Sequence, residues 1–85
     1  MSAYDKRVLS SNVSDKLKRK IIDGEWKVNE QIPTEQELAE ELMVSRTTIR
    51  EAIKILASQN IVRIDRGKGT FVAETPWVIQ DPLGF

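Results

Sequence analysis

The 85-residue chain contains no cysteine and no histidine. Their absence removes disulfides, thiolate and imidazole metal ligands, and the pairings on which most nucleophilic catalysis rests. No metal site, cofactor or catalytic residue is therefore expected in this chain. Long apolar runs are also lacking: none approaches the roughly 20 residues that span a bilayer, and the N-terminus does not show the basic-then-apolar order of a secretory leader. A soluble cytoplasmic protein with no membrane partner is expected. The length suits one domain with a single small core.

Net charge is lacking as well, since 13 Lys and Arg face 13 Asp and Glu. A neutral total argues against a generic binder of nucleic acid, but the distribution is uneven. Residues 1 to 22 hold six basic and two acidic side chains, 23 to 43 hold one basic and seven acidic, and 44 to 72 again hold six basic and two acidic. Only local charge acts within about one Debye length, roughly 8 to 10 Å. Two basic faces separated by an acidic one fit this pattern.

Val13, Leu17 and Ile21 recur at spacing four behind the candidate N-caps Ser10, Ser11 and Asn12, so a first helix is predicted over about 12 to 23, ending at Gly24. Residues 1 to 9 are read as an N-terminal arm. Residues 25 to 33 should form a loop or short strand dropping Trp26, Val28 and Ile32 onto the core. Thr34-Glu35-Gln36-Glu37 is a capping box that opens a second helix with Leu38, Ala39 and Leu42 on its buried edge. Met43-Val44-Ser45 interrupts the period, and Ser45 is placed to cap a third helix. Two helices joined by about three residues make a helix-turn-helix.

Advancing about 100° per residue from Arg46 puts Ile49, Ala52, Ile53 and Leu56 in an arc from about 240° to 340°. Arg46, Thr47, Arg50, Glu51, Lys54 and Ser58 fall between about 0° and 140° on the same wheel. Ile55 lies outside the core arc and must pack on a flank or stay partly exposed. After Asn60, the β-branched run Ile61, Val62, Ile64, the turn Asp65 to Gly69 and the returning Thr70-Phe71-Val72 read as a β-hairpin. Trp26 and Phe71 are expected in the core, and Trp77 is undecided. The domain is taken to span 10 to 74, with 75 to 85 the start of a linker. The predicted class is α+β: a winged helix-turn-helix of three helices and a C-terminal β-hairpin wing.

Arg46, Arg50 and Lys54, spaced at i, i+4 and i+8, repel one another by a few tenths of a kcal/mol per pair, so helix stability does not select them. A solvated face is the bland explanation. The functional one is that an N-terminal Arg46, with Arg50 one turn on, reaches base edges in a major groove wide enough for a helix. Thr47, Thr48 and the unpaired amides at the helix start suit phosphate oxygens, and most of the helix 1 lysines are expected to be solvated. Gly67-Lys68-Gly69 joins two strands rather than opening a helix, so it is a wing tip and not a phosphate loop. Four glutamates on helix 2 could suggest acid-base chemistry, but on an amphipathic helix they mark a wetted surface.

Together, Val13-x3-Leu17-x3-Ile21-x2-Gly24, Ile32-Pro33-Thr34-Glu35-x-Glu37-Leu38-Ala39, Val44-Ser45-Arg46-Thr47-Thr48-Ile49-Arg50-Glu51-Ala52 and Gly67-x-Gly69-Thr70-Phe71-Val72 resemble the N-terminal domain of the GntR family of bacterial regulators. The resemblance covers about residues 9 to 73. It implies sequence-specific binding of double-stranded DNA, with recognition helix 46 to 58 in the major groove and wing 65 to 69 on the backbone or minor groove. It places base contacts on Arg46, Arg50 and Gln36, the last standing where many members carry arginine. It places phosphate contacts on Thr47 and Thr48, to which Thr34, Ser45 and Lys54 are added as further candidates, and wing contacts on Arg66, Gly67, Lys68 and Gly69, with Thr70 added beside them. Met43 stands where a glycine is frequent, and Val28-Asn29 where Pro-Gly is common. Full members carry a C-terminal domain that binds a small-molecule effector and often dimerises, so a homodimer on a palindromic operator is implied. The start near Leu9-Ser10 and the ending Asp81 to Phe85 look more FadR-like than HutC-like. Two other readings compete: a winged helix used as a protein adaptor, and a small enzyme built on the acidic helix.

Overall fold

The computed structural model describes residues 6–74. Trp77, the linker and most of the arm lie outside them. Three helices come first, α1 (Lys6–Ile22), α2 (Glu35–Leu42) and α3 (Arg46–Ser58), followed by strands β1 (Val62–Asp65) and β2 (Gly69–Val72). The strands pair antiparallel, with Val62 opposite Val72 and Asp65 opposite Gly69. This is the winged helix-turn-helix that the sequence pattern predicts.

Helix α1 begins at Lys6, six residues before the expected start. The serines that look like caps are interior instead. Ser10 and Ser14 are buried on the same side as Val13, Leu17 and Ile21, and the Ser14 hydroxyl donates to the Ser11 carbonyl at 2.8 Å. A serine can satisfy itself this way inside a helix, so the hydroxyl run continues the buried stripe and does not mark its beginning. Residues 6 to 9, assigned to an arm by pattern, are helical.

The segment after Gly24 runs along the free edge of β2. Asn29 donates to Val72 O at 2.8 Å, Val72 donates back to Glu30 O at 2.9 Å, and Ile32 donates to Thr70 O at 2.9 Å. Asn29 turns the chain into this edge with φ 68. Trp26 and Ile32 are thereby buried, as expected, while Val28 stays exposed. Lys20 departs from the expected solvated lysines. Its ammonium lies 3.1 Å from Glu41 of α2, 3.4 Å from Glu25 and 5.7 Å from the Trp26 ring centroid. The hydrogen bond to Glu41 holds its pKa above the usual lysine value, although partial burial pulls the other way.

The core joins Val13, Leu17 and Ile21 of α1 to Leu38 and Ala39 of α2 and to Ile49, Ala52, Ile53 and Leu56 of α3, closed below by Ile61, Val62 and Val72. Ile55 is half-buried on the flank, as the wheel requires. Phe71 is not in this core. Successive strand residues face opposite sides, and Val72 takes the inward position. Phe71 therefore sits half-buried on the outer face opposite Arg63, whose guanidinium lies 5.2 Å from the ring centroid.

Between α2 and α3, Met43 takes the left-handed conformation at φ 58, ψ 46, and its side chain is 89% exposed. Its amide and that of Val44 both return to Ala39 O, so the conformation is fixed by the helix end. A non-glycine residue there costs about 1 to 2 kcal/mol. Replacing Met43 by glycine is therefore expected to raise stability by about 1 kcal/mol, or roughly 4 to 8 °C in Tm for a domain of this size. A thermal melt that moves down instead would overturn this account of the turn.

Candidate nucleic-acid interface

Burying Ile49, Ala52, Ile53 and Leu56 turns the opposite side of α3 outward, and Arg46, Thr47, Arg50 and Lys54 are all exposed there. The N-terminus of α3 is capped by Ser45, whose hydroxyl accepts from the Thr48 amide at 3.1 Å. No acidic residue stands in the first turn. The positive end of the helix dipole thus opens onto the same face as the arginines.

Thr48 is placed differently from the expectation. It is 8% exposed, and its hydroxyl lies 2.9 Å from that of Ser45. On the wheel it falls at about 200°, next to the core arc and opposite the basic one, and burial has claimed it. The Thr48 side chain does not face outward to meet a phosphate. Ser45 remains exposed, with its oxygen occupied by the cap.

The capping box of α2 forms as predicted. The Thr34 hydroxyl accepts from Glu37 N at 3.1 Å, and the Glu37 carboxylate accepts from Thr34 N at 2.9 Å. Thr34 and Gln36 are exposed beside it. Arg50 is exposed but not unpartnered: its Nε donates to Glu35 Oε2 at 3.3 Å and its Nη2 to Oε1 at 3.2 Å. Lys54 stands 4.0 Å from Glu51. Both pairs are on the surface and screened by solvent, so they contribute little to stability.

The wing tip carries Arg66 and Lys68 into solvent. Between it and the start of α3 lies an open groove of about 610 Å³, bordered by Gln36 and Arg46 on one side and by Ile64, Arg66 and Lys68 on the other. Among the described residues no cluster of acidic side chains is arranged to hold a metal.

One contributor was not legible in the pattern. The Gln31 side chain donates to Lys68 O at 3.0 Å, fastening the wing tip to the segment before α2. Gly69 faces this amide at φ 130, and a Cβ there would collide with it. Only the alternation around buried Ile32, which turns Gln31 to the outer side, hints at the contact.

Residues 9–72 match the model of the bacterial regulatory proteins of the gntR family. The chain belongs to this family. It is 41% identical over 69 residues to the probable fructoselysine utilization operon transcriptional repressor of Escherichia coli K12, covering 81% of this chain and 28% of that one. Among solved structures, Streptococcus agalactiae GntR is similar over 89% of this chain and 36% of its own, with 42% identity and a TM-score of 0.74. The DNA-binding domain of AraR, solved in complex with operator ORR3, shares 40% identity at a TM-score of 0.73 over 76% of this chain and 78% of its own. The chain thus spans about a quarter of the length of the repressor it matches.

Within this gntR-family domain, Gly69→Ala is expected to cost about 1 to 2 kcal/mol in urea denaturation, mainly from the strained φ, with a smaller part from displacing the flexible end of Gln31. In a Gln31→Ala background the cost should shrink to the backbone part alone. An undiminished penalty would show that the Gln31 contact carries none of it.

Proposed function

We propose that this chain is the sequence-specific DNA-binding domain of a bacterial transcriptional regulator, with α3 entering the major groove and the wing resting on the flanking backbone or minor groove. It is not an enzyme. The observation that carries the reading is the division of α3 into a buried aliphatic side and an open side presenting Arg46, Thr47, Arg50 and Lys54 together. B-DNA's major groove is about 12 Å wide and admits such a helix. Arg46 and Arg50 suit the O6 and N7 acceptors of guanine, and Gln36, in the first turn of α2, a neighbouring base. Thr34, Thr47, Lys54 and the amides at the start of α3 suit phosphates. The similarity to the DNA-binding domain of AraR, solved in complex with an operator, supports DNA as the partner.

Beyond the described residues, the reading extends to a regulator that acts in the cytoplasm, where a C-terminal domain takes a small-molecule effector and pairs two copies on a palindromic operator. The residues around Leu9-Ser10 and Asp81 to Phe85 favour a FadR-like over a HutC-like regulator. A single copy should bind weakly, because joining two half-site contacts commonly multiplies avidity by about 10² to 10⁴.

Selection of bound sequences from a random duplex pool tests the function and supplies a binding site. On the selected duplex, Arg46→Ala should weaken binding about 5- to 150-fold, the equivalent of one bidentate base contact, with a smaller loss on random duplex. Equal losses on both would reduce Arg46 to a phosphate contact. Affinity should also fall with salt at a log–log slope near −0.9 per phosphate engaged. A flat salt profile would favour the adaptor reading instead.

A further inference from the structure

Both carboxylate oxygens of Glu35 are committed to one arginine. Arg50 offers Nε to Oε2 at 3.3 Å and Nη2 to Oε1 at 3.2 Å, a two-pronged contact along one edge of the guanidinium. Glu35 is the first residue of α2, and Arg50 lies one turn into α3. The pair therefore ties the two helices of the helix-turn-helix together on their outer side, with the Arg50 side chain 53% and the Glu35 side chain 38% exposed.

The fold makes little demand for this contact. The α2 N-terminus is already closed by Thr34 and Glu37, and the α2–α3 junction is held by buried Leu38, Ala39 and Ile49. What the contact does fix is direction. A guanidinium has five N–H donors. Glu35 takes the Nε–Nη2 edge, which leaves the Nη1–Nη2 end, the other two-pronged face that matches guanine O6 and N7. Its negative charge also offsets that of Arg50, which lowers the sequence-independent pull on phosphates without removing the directed hydrogen bonds.

We infer that Glu35 is a positioning residue for base reading: by gripping one edge of Arg50 it aims the opposite end at a guanine and raises discrimination at the expense of indiscriminate affinity. This rests on the DNA-reading function proposed above and adds to it a residue whose role is specificity.

The test uses the 85-residue chain, a duplex obtained by selection with that chain, the same duplex with its guanine pairs replaced one at a time, and a random duplex, all by fluorescence anisotropy. Glu35→Gln keeps the shape of the side chain but places an amide donor against a guanidinium donor. It should lower the preference for one guanine by about three- to tenfold, leave binding to random duplex equal or tighter, and steepen the salt slope by up to about 0.9. In an Arg50→Ala background, Glu35→Gln should produce no further loss of preference, and the melting temperature should move little because the cap residues are untouched. Preference unchanged within twofold, equal losses on selected and random duplex, or the same loss without Arg50 would each overturn the assignment. If the unaltered chain shows no sequence preference at all, the DNA-reading function itself fails, and that outcome is distinct from the others.

Discussion

Ile49, Ala52, Ile53 and Leu56 lie within about a third of the circumference of α3, and their burial against Val13, Leu17 and Ile21 of α1 is the contact on which the rest of the molecule depends. Each fully buried aliphatic side chain contributes roughly 1.5 to 3 kcal/mol, far more than any of the surface ion pairs. A helix buried along one side can expose only the other. The apolar packing therefore decides which cations face outward, although no cation takes part in it.

The remaining elements elaborate that choice. Helix α2 is short, and its end is set by the left-handed Met43 and the cap at Ser45, so its own N-terminus stands beside the outer face of α3. That proximity brings Glu35 to Arg50 and Gln36 to the groove that Arg46 borders. The wing is positioned from two directions. Val62 and Val72 anchor its base in the core, while the 29–32 segment pairs with β2 and sends Gln31 to the tip. Electrostatics follows the same division. The acidic excess of residues 23 to 43 is paired partly with Lys20 of α1 and partly with Arg50 of α3. A chain with no net charge thus keeps an outward face rich in cations.

Where the structure departs from expectation, a tertiary contact outweighs the local chemistry. Ser10, Ser11 and Asn12 are good N-caps, but Ser10 and Ser14 also fit beside the core, and a helix extended to Lys6 buries them there. Thr48 resembles Thr47 in type, yet it lies one wheel position from the core arc and turns in. Phe71 is apolar enough for any core. Strand alternation gave the inward place to Val72, and Arg63 covers the ring from outside.

By itself the sequence determined the order of the elements, the capping box at Thr34, the aliphatic stripe of α3 and the basic residues opposite it, because each is a matter of spacing within one segment. Contacts between distant segments were decided only by tertiary structure: Lys20 with Glu41, Gln31 with the carbonyl of Lys68, and Glu35 with Arg50, 15 residues away. No period encodes such a meeting. It exists only once the packing of α1 and α2 on α3 has fixed where each helix begins and which way its outer side chains point.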